Sequence, residues 1–342
     1  MRPASKPYAA ATILDVAHEA GVSRTTVSRV LNEPERVPEE TVERVRRAAE
    51  TLNYRPSQRA RSLRTGRTNT IALLVGDVSQ PFQAALSKAV ARSAEDRGLN
   101  VLLCDLDHSE ARLIAFLDKL PRQGVDGIII ATGDDLGADQ AMKQIEATRA
   151  AGIPVVLSGR RRVGDQLSVG VDFAGIASDA TKLLLETGCD RPVLLLGRRD
   201  TFLGQEYVAG FIHALGGGSE AQILDGEYSA EVSAAILMRL FSQDDPPNGI
   251  VAATATMALG ALNAMRALGL RVPEDIGLVV CEDVPLATIV APAMTTVGVT
   301  ATLNGEALVD RLEQQIAGLE ANVEDFVLPH VVTNRASTRS AE

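Results

Sequence analysis

From Thr12 to Leu52 the apolar residues recur at helical spacing. Ile13, Val16, Ala17 and Ala20 form one stripe, Val27, Val30 and Leu31 a second, and Val42, Val45, Ala49 and Leu52 a third. Each stripe predicts the buried face of an amphipathic helix, and three such helices make a minimal core. The ends are marked too: Thr12 with Asp15 is a capping-box start, Gly21 closes the first helix, Ser23 can cap the second through its hydroxyl, and Pro38 opens the third. The turn Ala20-Gly21-Val22-Ser23 leaves Arg24, Thr25, Ser28 and Arg29 on the outer face of the second helix. That is the layout of a helix-turn-helix whose second helix enters a DNA groove.

From Ile71 the pattern changes to short apolar runs alternating with helical segments: IALLVGDV, VLLCDL, GIIIA, PVVLSG, PVLLLG, AQILDGE, GIVAATA and IGLVVCEDV. Runs this short and this apolar read as strands buried on both faces of a parallel sheet. Their number predicts an α/β core of two doubly wound parallel-sheet lobes divided near Val171. The last strands, TTVGV and FVLPHVV, flank a helix from Thr302 to Ala317, which lets the chain cross back between lobes.

Charge changes the picture. The 342 residues carry a formal net charge of −10, which alone argues against nucleic acid. Residues 1–70 nevertheless hold 13 Lys and Arg against 8 Asp and Glu, while the rest holds 21 against 36. A basic head on an acidic body is expected where only the head meets phosphate. Cys104, Cys189 and Cys281 stand far apart and predict neither a disulfide framework nor a zinc site. No run reaches membrane-span length and residues 1–11 lack a signal-peptide core, so a cytoplasmic location is expected, with no membrane contact.

The segment ATILDVAHEAGVSRTTVSRVLN, continued by NYRPSQRARSLRTGRTN, resembles the LacI/GalR family of bacterial transcription regulators. The resemblance runs on through IALLVGDVSQPF, GVDGIIIA, LGLRVPEDIGLVV and VLPHVVTNRAS, so it covers nearly the whole chain. It implies a disordered tail at 1–11, a DNA-binding head at 12–56, a hinge helix and linker at 57–70, and a periplasmic-binding-protein-like core for effector binding and dimerisation at 71–342. The lobes are expected at about 71–170 plus 300–320 and about 171–299 plus 321–338. By correspondence Arg24, Thr25 and Arg29 read base edges, an arginine meeting guanine O6 and N7. Thr12, Ser23, Thr26, Ser28, Asn32 and Tyr54 are assigned to phosphates. Ser57 to Arg64 is a candidate hinge helix; Ala60, Arg61 and Leu63 are assigned to the minor groove, with Leu63 as the wedge between base pairs.

Open α/β sheets bind ligands beyond the carboxyl ends of their strands. Those ends supply Asp77, Phe82, Ser158, Arg160, Tyr228, Thr254 and Asp283 as effector residues, of which Phe82, Tyr228 and Asp283 also fall on family effector positions. Tyr207, also assigned to the effector, stands where sugar- and purine-binding relatives usually carry Arg, Thr254-Ala255 replaces a common Asn-Asp, and Glu282 replaces an aromatic. The usual bidentate donor is therefore missing, which makes a sugar effector less expected. Glu206, Glu282 and Asp283 favour a cationic or amphipathic ligand instead. Asp105, Asp107 and His108 read either as a metal site or as polar caps, and Arg160-Arg161-Arg162 as an anion site or a solvated loop. No nucleophile elbow, Walker loop or zinc-protease motif occurs, so neither an enzyme nor a cofactor is expected. The expected function is a homodimeric repressor of a palindromic DNA operator, modulated by a small-molecule effector in the interlobe cleft.

Overall fold

Thr12 opens the first helix through a complete capping box: its backbone N–H and hydroxyl both donate to the Asp15 carboxylate, at 2.7 and 2.8 Å. In this computed structural model, which describes residues 11–54, 67–134, 139–159, 167–217, 221–319 and 326–339, the chain divides into two units at Thr68 and Asn69. The first unit holds α1 (Ile13–Glu19), α2 (Arg24–Asn32), a short 3-10 turn and α3 (Glu39–Thr51). Val16, Ala17, Val27, Val30, Val42 and Val45 meet in its core, with Ala20 and Ala48 between the helices. The small residues let helices this short pack closely, and packing rather than propensity stabilises them.

The second unit is a pair of six-stranded sheets. The first contains β1 (Thr70–Val75), β2 (Asn100–Asp105), β3 (Gly127–Ala131), β4 (Val155–Gly159) and β5 (Leu167–Val171), joined by α4 (Pro81–Glu95), α5 (Glu110–Gln123) and α6 (Asp139–Ala150). Next come α7 (Phe173–Glu186), β6 (Pro192–Leu196), α8 (Phe202–Ala214), β7 (Gln222–Asp225), α9 (Ala230–Phe241), β8 (Gly249–Ala252), α10 (Ala255–Leu268), β9 (Gly277–Val280), the short α11 (Leu286–Ile289) and β10 (Thr295–Gly298). The chain ends with α12 (Ala301–Ile316), β11 (Val327–Leu328) and β12 (Val331–Thr333). The sheet orders are β11-β5-β4-β3-β1-β2 and β12-β10-β9-β8-β6-β7, and every pair is parallel except β10 with β12. The two lobes are thus the same design repeated.

Three segments join them: Val171-Asp172, Val299-Thr300 and Pro329-His330. Two features depart from the sequence expectation. Strand β5 is missing from the apolar series because Ser168 and Gly170 interrupt it, although Val169 and Val171 are buried. The segment FVLPHVV, assigned wholly to the second lobe, is divided: Val327 and Leu328 pair with Gly170 and Val171, whereas Val331 to Thr333 pair with β10. Pro329, which lacks a backbone N–H for a ladder, marks the crossing. Among the described residues no helix is long and apolar enough to cross a membrane.

Candidate functional site

On the head, the Ser23 hydroxyl accepts the Thr26 N–H at 3.1 Å and lies 2.9 Å from the Thr26 hydroxyl, which fixes the first turn of α2. Arg24 and Thr25 follow at once and are exposed, as is Arg29 one turn on. Neither arginine engages a carboxylate among the described residues, so both guanidinium groups are available to an outside acceptor. Of the phosphate candidates, Thr12 holds Asp15, whose carboxyl its N–H and hydroxyl keep below the usual range. The Asn32 side chain donates to the Ser28 carbonyl. Tyr54 is half-buried against the head core, and burial raises its phenol pKa. Ala60, Arg61 and Leu63 lie outside the described residues, as does Arg160.

In the core, a cavity of about 90 Å³ opens between the carboxyl ends of the two sheets. Of the expected residues, Phe82, Ser158, Tyr207 and Thr254 line it. Phe82 is placed by the first turn of α4, Ser158 by the end of β4, and Thr254 by the cap of α10, where its hydroxyl accepts the Met257 N–H at 3.3 Å. Tyr207 is buried on α8, its ring 5.6 Å from that of Phe173 and tilted by 59°. Burial pushes its phenol well above the ordinary value. Phe173, Phe202, Gln83 and Asn304 also line it and were not anticipated. Phe173 and Asn304 each follow a crossing segment within a few residues, and that position is the sequence signal for them.

Three expected residues lie elsewhere. Asp77 tightens its own loop, accepting the Ser79 N–H and hydroxyl, both at 2.8 Å. Asp283 accepts from Thr296 at 3.0 Å and from Arg335 at 3.1 Å, in a partly buried ion pair of the second lobe. Tyr228 stacks on His108 of the first lobe, with ring centroids 4.8 Å apart and planes 6° from parallel. Its backbone carbonyl accepts the Gln80 side-chain amide at 3.1 Å. His108 Nδ1 lies 3.1 Å from both Asp134 oxygens; this hydrogen bond, working against burial, raises the imidazole pKa above its usual value. Asp134 is held below the carboxylate range by His108 and Thr132 although burial opposes it. Burial pushes Tyr228 up to about 12. The histidine of the suspected Asp105-Asp107-His108 cluster therefore turns to Asp134, while Asp105 accepts the Val78 N–H.

Glu282 reaches the cavity wall from just beyond β9. Its carboxylate accepts the Ala255 N–H at 2.9 Å, the free end of α10, yet burial outweighs this bond and pushes its pKa up to about 7. Burial likewise raises Cys281 beside it.

A helix-turn-helix head on a two-lobed core with a cavity at the switch between sheets defines a DNA-binding regulator of transcription with a small-molecule domain. Residues 12–57 match the bacterial regulatory proteins of the lacI family, and residues 68–340 match the periplasmic binding proteins and sugar binding domain of the LacI family. The chain belongs to the LacI family of bacterial transcription regulators. It is 33% identical over 324 residues to the transcriptional regulator CelR of Thermobifida fusca, covering 90% of this chain and 92% of that one. It is 29% identical over 335 residues to catabolite control protein A of Priestia megaterium, covering 96% and 99%. The crystal structure of the Lac repressor dimer bound to operator and the anti-inducer ONPF superposes with a TM-score of 0.85 at 27% identity, over 96% of this chain and 99% of that one.

Proposed function

We propose that this regulator is a homodimeric repressor, cytoplasmic and without enzymatic activity, that binds a palindromic operator and releases or tightens it in response to a small molecule in the interlobe cavity. The observation that carries the DNA-reading assignment is the outer face of α2, where Arg24, Thr25 and Arg29 stand exposed and unpaired with any described carboxylate. Arg24 and Arg29 carry the donors for guanine, and the capped N-terminus of α2 suits an approaching phosphate. The likeness to an operator-bound Lac repressor dimer supports the two-headed arrangement, and twofold symmetry in the protein requires matching symmetry in the DNA. Exposed Leu102 and Leu103 on the edge strand β2 offer apolar surface for a second copy. A ligand acts by preferring one arrangement of the lobes over the other. Selection of binding sites from a random duplex pool tests the proposal: a palindromic consensus, bound more weakly as salt rises, is expected, and a pool without enrichment overturns it.

A further inference from the structure

The described wall of the cavity contains one carboxylate and neither Lys nor Arg. Among the described residues Glu282 accepts one hydrogen bond, from Ala255, and forms no ion pair. The titratable groups that sense its charge are Cys281, Tyr207 and Tyr228, and burial raises all three, so each stays neutral near neutral pH. Asp283, the next residue, is paired with Arg335, and Glu206 lies outside the wall. A second acceptor belongs to another wall residue. The side-chain oxygen Oε1 of Gln83 is buried and finds no hydrogen-bond donor among the described residues.

Three of the other polar wall groups are already engaged by neighbours. Asn304 donates to Ser158 at 3.3 Å, Thr132 donates to Asp134, and Thr254 caps α10. What remains on the described wall is one carboxylate with no cationic donor, set among Phe82, Phe173 and Tyr207 with the neutral hydroxyls of Tyr207 and Thr254. A partly buried anion of this kind is costly unless a cation meets it, ring faces attract an ammonium group, and the apolar wall suits a hydrocarbon body.

We propose that the effector of this regulator is a small organic ammonium compound, its charged nitrogen held by Glu282 and Gln83 and its apolar body lodged among Phe82, Phe173 and Tyr207. The proposal rests on the cavity being the effector site. Because burial pushes Glu282 up to about 7, and a cation selects its ionised form, binding releases a proton. Affinity then falls about tenfold for each pH unit below neutrality and levels off above it.

The experiment uses the full chain with phenethylamine and its neutral and anionic counterparts, phenethyl alcohol and phenylacetate, with glucose as a polyhydroxyl probe. Melting curves and calorimetry are recorded from mildly acid to mildly alkaline pH, beside a gel shift on a selected operator. Phenethylamine is expected to raise the melting temperature, with the alcohol, acid and glucose giving no comparable rise, and Glu282→Gln is expected to weaken the amine roughly thirty-fold or more. Should Glu282→Gln fail to fold, the proton release and pH slope of the unaltered protein decide. Absence of a response to the amine, an equal response to the alcohol, acid or glucose, or a pH-independent affinity overturns the proposal. Operator binding that survives such a result leaves the regulator reading standing, and failure to bind any selected operator both with and without the amine overturns that reading instead.

Discussion

His108 and Tyr228, stacked face to face between the lobes, occupy the same place in the two halves of the core. His108 lies in Asp105-Leu106-Asp107-His108-Ser109 after β2, and Tyr228 in Asp225-Gly226-Glu227-Tyr228-Ser229 after β7. Ser109 and Ser229 cap the helices that follow, α5 and α9. Both ring-bearing residues and the acidic residue before each adopt left-handed backbone, with φ between 51 and 55°. Four such non-glycine conformations at one contact are costly and persist only where surrounding structure imposes them. The stack is therefore a contact between equivalent positions of a repeated unit.

The pH dependence of this contact follows from His108. Its folded pKa is raised above the ordinary 6.5, foremost by the Asp134 hydrogen bond. The stabilisation is fully present below about pH 6.5 and is lost as pH rises through the folded pKa. Thermal melts of the core should thus decline across that interval, and Asp134→Asn should flatten the decline. An Asp134→Asn protein with an unchanged pH profile would assign the dependence to another group.

Beneath each ring lies a glycine at the end of a central strand. A methyl group at Gly197 would stand 2.2 Å from the Tyr228 ring, whereas one at Gly76 would stand 3.1 Å from Thr132 and 3.3 Å from His108. Gly197→Ala should displace the Tyr228 ring and cost about 1–3 kcal/mol, as overpacking does, and Gly76→Ala should cost less. Equal melting temperatures for the two variants would show that the second lobe absorbs the methyl without moving the ring.

Glu282 makes an opposite trade between stability and binding. Its pKa rises from 4.5 to about 7 on folding, so the stability associated with its neutral form is complete below about pH 4.5 and is lost as pH climbs through 7. Glu282→Gln keeps an acceptor for the Ala255 N–H without the charge. The unligated variant should be more stable than the unaltered protein above neutrality, by no more than about 3 kcal/mol, with the gap closing toward acid pH. Chemical denaturation at the two extremes measures it, and a variant less stable at high pH would contradict the buried-charge account.

Replacing Arg24 by Ala should relax selection at one base pair of each half-site and cost about 1–3 kcal/mol on the preferred operator. Repeating the site selection with the variant checks this. Uniform weakening on every sequence would move Arg24 to the phosphate-contacting group.

Much of this arrangement was legible because its signals are local. The head announces itself through helical spacing and through the caps at Thr12 and Ser23, and most strands through unbroken apolar runs. Phe82, Ser158 and Thr254 reach the cavity because they lie at or just past the carboxyl ends of strands, whereas Tyr207 reaches it from the middle of α8. What failed depended on which way a side chain faces. On extended backbone successive side chains point to opposite sides; with Glu282 at the cavity, its neighbour Asp283 meets Arg335 instead. Phe173 and Asn304 were missed because they sit on the first turns of α7 and α12 just past the crossings, not at the strand ends from which the ligand residues were drawn.

The interleaving of the lobes bears on how the protein is made. Ser337 exchanges hydrogen bonds with Leu278 and accepts the Thr295 N–H at 2.8 Å, and Arg335 donates to Met294 and Thr296. The first sheet, in turn, is completed by α12 packed on α4 and by the pairing of β11 with β5. Neither lobe is continuous in sequence, so neither can finish while its later segments are still on the ribosome. Both close almost together once residues 327–339 are free to pair, and a nascent chain stalled short of Val327 leaves two unfinished sheet edges exposed at once.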